Sequence, residues 1–485
     1  MLCYIAVGFG DLKCHKNEGI ALATRTLIND EFLHTALNKP PNTLNPYSAD
    51  WKSNSLIQLL QTLRSVRCLA LFGLITLSLY FIISMLTLRP SIAEERKISF
   101  WHWWNSAGEV KSIDVLSKYL TQYNLIWNKE KAIKSSTALY LRDINSLLET
   151  QSPDAAMMIS SKIHNYDAKF SLMHLDDIAQ EQGWDEVVPH AIQNSAKHNG
   201  HWVSAPINSH STNWLWVNKN LFLRLNLPEP ETWTDLIAVL ERAKALNIPA
   251  IAALNDDWEQ ALLFELVVIS TGGLEFYRRL FVNYQFSPDD NHILTQSFLR
   301  LEQLTHYFAE STFSNNWNQN SAMVNQGEVL MQIHGSWVNS ELSALGAKPE
   351  IDYLCMRFPE TQGAYLFHTD HVIFFNQQNS QPDKQKKMAR MLLDKEFQRE
   401  LSIASGASPS RVDISTDGFN SCSKNSIHDL RMANMRRAVL ASLNHKDLYK
   451  IVADYLKQKT TTETAVNQVL TAITQQSISA TPNSQ

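Results

Sequence analysis

Residues 68–86 read CLALFGLITLSLYFIISML, nineteen positions without a charge. A run of that length can cross a bilayer or form the core of an export signal. It therefore divides the chain, and everything C-terminal to it must fold by itself. Arg64 and Arg67 precede the run and should hold its N-terminal end in the cytoplasm. Pro90 breaks the helix after it, and Ser91 and Ala93 are small residues at the spacing that signal peptidase prefers. The expectation is export: residues 67–93 act as a signal peptide cleaved after Ala93, or stay as a membrane anchor. Residues 1–66 are too long and mixed for a signal n-region. They read as an irregular extension rich in Asn, Pro and Ser over 38–53, and a non-ATG start near Leu63 or Val66 would remove them.

The chain of 485 residues is 44% hydrophobic and 19% charged with a formal net charge of −5, which is a globular composition. No basic stripe runs along it, so nucleic acid is not expected as a partner. Of five cysteines, only Cys355 and Cys422 follow the apolar run. In an oxidising compartment two cysteines invite one disulfide, and two separate buried thiols are the alternative. No Walker loop, zinc-type Cys/His spacing or nucleophile elbow is present. No catalytic residue, metal or cofactor is expected.

Past residue 94, short apolar strands alternate with amphipathic helices, which predicts an α/β architecture. Strands are expected over 97–104, 154–159, 201–206, 214–218, 328–334 and 371–375. Helices are expected over 109–123, 137–148, 175–183, 184–196, 258–269, 274–281, 297–309 and 337–345. Another is expected over 228–245, where Thr232 and Asp235 have capping-box spacing. The C-terminal third should be mostly helical, with a loose tail from about Ser477. Twelve of the thirteen tryptophans lie beyond residue 100. In KISFWHWWNSAGEV (97–110) paired indoles sit at a strand-to-helix corner beside a carboxylate. The apolar face of a sugar ring stacks on indole, and its hydroxyls need acceptors.

Seven segments, in order, resemble the extracellular solute-binding proteins of carbohydrate ABC transporters, especially the glucose/mannose-type branch. They are WHWWNSAGEVKSIDVL, PDAAMM, APINSHSTNWLWVNKNLF, PETWTDLIAVLERAKALNIPAIAA, WEQALLFELVVISTGGLEFY, GEVLMQIHGSW and ASPSRVD, within residues 97–429. The resemblance implies a two-lobe, type II periplasmic-binding-protein fold. Lobe 1 would hold 94–212 and 370–420, and lobe 2 would hold 213–369 and 421–485. It implies a monomeric periplasmic protein that takes a mono- or oligosaccharide, closes by hinge bending and delivers it to an ABC permease. A membrane-anchored sugar-sensing receptor is the alternative, and a glycan-acting enzyme, which would need paired carboxylates across the sugar, is a third reading. The resemblance also pairs Cys355 with Cys422.

Carried over residue by residue, the resemblance implies ligand stacking by Trp103, Trp104, Trp258 and Trp337. It implies polar contacts from Glu109, Asn208, His210 and Asp370. Trp214 and Trp216 are expected to be structural. Four positions depart from the family pattern. Met157 and Ile159 stand where relatives carry Gln and His, Ser211 where they carry Arg, and Ser336 where they carry Asp. Each buried polar partner lost without replacement costs about 1–3 kcal/mol. This points away from glucose and toward a deoxy sugar, another sugar or a longer glycan, or a site that has decayed and is kept for signalling.

Overall fold

The computed structural model describes residues 70–84, 96–128, 152–159, 163–376, 382–436, 438–440 and 446–480, with scattered positions between 140 and 149. The chain forms two compact units, Met1–Leu88 and Arg89–Gln485. In the first, residues 70–84 are helical and expose Leu71, Phe72 and Tyr80. Among the described residues no helix is long and apolar enough to cross a membrane. The extension 1–66, the cleavage region 87–94 and most of the helix expected over 137–148 lie outside the described residues.

The second unit is built on two mixed sheets, each with its own core. In the first sheet, strand Tyr365–Phe374 runs antiparallel to Ala155–Ile159 and to Ala205–Ser211, and parallel to Ala438–Leu440. Phe100–Trp101 extends it alongside Ala155–Ile159. The second sheet has the order Phe308–Ala309, Ile251–Ala252, Met331–His334, Trp214–Asn218, Tyr353–Arg357. Trp214 and Trp216 are buried in the second core. The chain passes from the first sheet to the second through Thr212 and Asn213, and returns through 358–364. Asn213 Nδ2 ties the two passages together, donating to Thr361 Oγ1 at 3.1 Å and to the Ala364 carbonyl at 3.2 Å.

Several element boundaries differ from expectation for local reasons. The strand expected over 97–104 is two short strands, Lys97–Ile98 and Phe100–Trp101. It changes partners at Ser99, whose N–H donates to Asp154 Oδ2 at 2.8 Å. The first long helix, Ala107–Gln122, starts two residues early because Ser106 caps it and Glu109 closes the capping box. The helix expected over 184–196 is two, Trp184–Val187 and His190–Ala196, interrupted at Pro189. Asp257–Tyr277 runs through both segments expected as separate helices and bends at Gly273, whose φ is 81°. The capping box of Trp233–Ala245 forms between Thr232 and Asp235.

Helix Thr462–Ala480 runs past Ser477, where a loose tail was expected, and residues 481–485 lie outside the described residues. Ala465, Val466, Val469, Leu470 and Ile473 recur at helical spacing and are buried in the second core, which carries the helix past the polar stretch.

The two halves touch at the start of helix Ala107–Gln122. Glu341, on helix Val338–Ala344, accepts from the Gly108 N–H at 2.7 Å and from the Ser106 hydroxyl. A carboxylate at a helix N-terminus satisfies unpaired N–H groups and opposes the dipole. A Cβ at position 108 would lie 2.5 Å from Ser340 Oγ and 2.7 Å from Glu341 Oε1. Gly108→Ala should therefore push the halves apart and weaken any ligand held between them by about 10-fold, about 1.4 kcal/mol. Calorimetric titration checks this. Unchanged affinity would mean that the contact plays no part in holding ligand.

Candidate functional site

Asn208 and His210 lie on strand Ala205–Ser211, and His368 and Asp370 on the neighbouring strand Tyr365–Phe374. The antiparallel register sets Asp370 opposite Asn208 and His368 opposite His210, so all four come together at the edge of the first sheet. From the second sheet, strand Met331–His334 ends in the turn Gly335-Ser336-Trp337, which reaches across to them. The Ser336 N–H donates to the Ser211 carbonyl at 2.8 Å, and Ser336 Oγ lies 3.0 Å from His210 Nδ1. Glycine is required at 335, because a Cβ there would lie 2.3 Å from the Trp337 ring.

The rings form a continuous chain. Trp337 stands 5.4 Å from His210, 5.2 Å from His368, 5.0 Å from His334 and 6.0 Å from Trp258, between ring centroids. His334 also meets Trp258 at 5.3 Å and Trp317 at 5.9 Å. Trp337, His210 and His334 are buried, whereas Trp258, Trp317 and His368 are part-exposed, so the cluster reaches the surface through those three.

Two of the imidazoles, His334 and His210, are each oriented by a carboxylate. His334 Nε2 lies 3.0 Å from Glu259 Oε1, and His334 Nδ1 accepts the Gly335 N–H at 3.0 Å, a pattern that fits the Nε2–H tautomer. The other Glu259 oxygen accepts the N–H groups of Asn255 and Asp256, the capping box of helix Asp257–Tyr277. His210 Nε2 lies 3.6 Å from Asp370 Oδ2. Burial pushes the Asp370 carboxyl up, but the hydrogen bond and charge of His210 and the nearby His368 outweigh it and hold its pKa below the ordinary value. Desolvation pushes His368 down to about 4, aided by His210 and His334 and opposed by Asp370.

Within the cluster, Trp337 Nε1, Asn208 Nδ2 and His368 Nδ1 are buried without a hydrogen-bond partner among the described residues. Buried donors left unpaired cost about 1–3 kcal/mol each, so a ligand offering acceptor oxygens is what this arrangement can use.

The depressed His368 value sets a sign. Its folded pKa lies below the unfolded value of about 6.5, so the native state resists protonation. The stability that neutral His368 contributes is complete above pH about 6.5 and is lost as pH drops from there through about 4, by at most about 3 kcal/mol. His368→Gln should flatten that part of the curve in denaturant melts between pH 7 and 4.5. The same slope in wild type and variant would show that His368 is not responsible.

Asn208, His210, Asp370, Trp337 and Trp258, all expected from the sequence, thus share one cluster. Trp103, Trp104 and Glu109 do not join it. Trp103 and Trp104 are 5% and 4% exposed and belong to the first core. Trp103 meets Tyr140 edge-on at 5.3 Å. The Glu109 carboxylate accepts the Asn105 and Ser106 N–H groups at 2.8 Å each, so its hydrogen bonding closes a helix cap, and burial raises its pKa. Met157 and Ile159 are buried in the first core. His368, His334, Trp317 and Glu259 were not among the expected residues. For His368 the usable signal was its alternation with Asp370 along a strand that the sequence reading begins only at residue 371.

Residues 150–399 match the family described as bacterial extracellular solute-binding protein. A probable sugar-binding periplasmic protein of Brucella suis is 30% identical over 390 residues, covering 78% of this chain and 92% of that protein. A protein of the same description from Rhizobium meliloti is 31% identical over 382 residues, covering 77% and 92%. Among solved structures, a chitin oligosaccharide binding protein superposes with a TM-score of 0.67 at 18% identity, covering 79% of this chain and 99% of that one. The structural likeness shows the two-lobe periplasmic-binding-protein fold.

Proposed function

The chain belongs to the bacterial extracellular solute-binding proteins, and from that premise we propose that it binds a carbohydrate between its two lobes and hands it to an ABC transporter permease. The family is one of binding proteins, so closure of the lobes over ligand is the work done and no covalent step is involved. The observation that carries this reading is the ring cluster joining the two sheets. Indoles and imidazoles from both halves meet there, with unpartnered donors among them. Aromatic faces with a few fixed polar groups suit a sugar ring.

The mobile bodies are lobes of about 94–212 with 370–420 and 213–369 with 421–485, except that 365–369 and 438–440 pair within the first sheet and so move with the first lobe. The ligand is a sugar of the kind the glucose/mannose branch takes, or one with fewer hydroxyl contacts, because Met157 and Ile159 bring apolar side chains to positions where that branch carries polar ones. Trp103, Trp104 and Glu109 support the first lobe beside the site, whereas Trp258, Trp337, Asn208, His210 and Asp370 face the ligand. The protein works as a monomer in the periplasm, released by cleavage after Ala93 or held by the apolar run 68–86. In the anchored form it could instead report sugar to a membrane partner, and fractionation of soluble and membrane pools separates the two.

The test is a thermal-shift screen of the full chain against a sugar library. A bound carbohydrate should raise the melting temperature by mass action. If no carbohydrate shifts it while a non-sugar solute does, the ligand class is wrong.

A further inference from the structure

Away from the ring cluster, on the first lobe, His174, Asp176 and His201 bring one ligand atom each within 4.8 Å of one another. The two imidazoles stack with centroids 4.6 Å apart and planes 20° apart, and His201 Nδ1 lies 2.9 Å from Asp176 Oδ2. We propose that these three side chains form a site for a divalent transition metal, with Zn²⁺ the best fit.

The donor set carries the choice of metal. Two imidazoles and one carboxylate suit Zn²⁺ and its neighbours, whereas Mg²⁺ and Ca²⁺ prefer oxygen ligands alone. Three protein ligands leave a fourth position for water, as in open zinc sites.

The scaffold fixes all three residues. His174 is flanked by two backbone bonds, Met173 N–H to the Phe374 carbonyl and Leu175 N–H to the Trp202 carbonyl, each at 2.8 Å. His201 stands on a tight hairpin that pairs Lys197–His198 with His201–Trp202. Its turn residues Asn199 and Gly200 have φ of 51° and 85°, the left-handed conformation that Asn-Gly hairpin turns need. The second Asp176 oxygen accepts the Trp202 N–H at 3.0 Å, which orients the carboxylate and leaves Oδ2 toward His201. Such outer partners hold ligands in place in known metal sites. The spacing 174, 176, 201 matches no sequence motif, because the hairpin and not the chain brings His201 to the other two.

The full chain, stripped with EDTA, is titrated with Zn²⁺ against a chromophoric chelator. One equivalent should bind with a Kd of about 1–10 µM. His174→Ala and His201→Ala should each weaken it at least about 10-fold. Both residues are exposed enough that the apo melting temperature should stay at the wild-type value, and Mg²⁺ should not compete. His190→Ala, a control histidine outside the cluster, should bind like wild type. Equal Zn²⁺ affinity in wild type and both variants, or no stoichiometric binding below about 100 µM, overturns the proposal.

Discussion

Trp258→Ala should weaken carbohydrate binding about 10- to 100-fold while barely moving the melting temperature, and Trp103→Ala should do the reverse. Both are tryptophans that the sequence marks as ligand-stacking, so the contrast is a test of place rather than of residue type. Trp258 is part-exposed at the rim of the ring cluster and touches His334 and Trp337. Removing it takes away a face on which a sugar can lie and leaves little void in the core, and the 10- to 100-fold loss corresponds to about 1.4–2.7 kcal/mol. Trp103 is 5% exposed against Tyr140, whose hydroxyl donates to the Met157 carbonyl at 2.9 Å. Truncating a buried Trp to Ala costs about 3–5 kcal/mol through lost burial and the cavity left behind. Titration calorimetry on the folded fraction together with thermal melts reads both effects. Loss of binding in Trp103→Ala at an unchanged melting temperature would move the ligand to the corner at 101–108.

How far the sequence was legible follows from which interactions are local. The helix at 233–245 could be read because its cap lies three residues away, at Thr232 and Asp235. The same reasoning, applied at Ser106 and Glu109, would have placed the start of helix Ala107–Gln122 and given the Glu109 carboxylate its capping role. His210 could be singled out from its segment, but its neighbours His368, Ser336 and Trp337 come from 126 or more residues away. That grouping depends on the register of Tyr365–Phe374 against Ala205–Ser211, and register is set by whole-sheet burial rather than by any short pattern. The indole pair at 103 and 104 shows the converse limit. A strand end presents side chains to two sides, and local sequence does not say which side is the core.

Breaking the Cys355–Cys422 disulfide, by reduction or by Cys355→Ser with Cys422→Ser, should lower stability by about 2–4 kcal/mol and leave ligand affinity within about 3-fold of wild type. The cysteines are 67 residues apart with Cα atoms 5.9 Å from each other. In the chain-entropy description, closing a loop of that length constrains the unfolded ensemble by about 4 kcal/mol, and engineered and native bonds often deliver less. The bond joins edge strand Tyr353–Arg357 of the second sheet to the first turn of helix Ser421–Arg436. That helix belongs to both halves, since Cys422 packs in the second core and Leu430 in the first. Affinity should survive because a polar seam holds the helix without the bond. Ser426 Oγ lies 2.9 Å from both Ser211 Oγ and Ser408 Oγ, and Asn339 Nδ2 donates to Ser423 Oγ at 2.9 Å. Melts with and without reductant, paired with titration of the sugar found in the screen, measure both quantities. An unchanged melting temperature would remove the bond from the forces that hold the fold. Collapse of affinity at unchanged stability would instead make the fastening of helix Ser421–Arg436 part of the closing movement, because only the relation between the halves would then have changed.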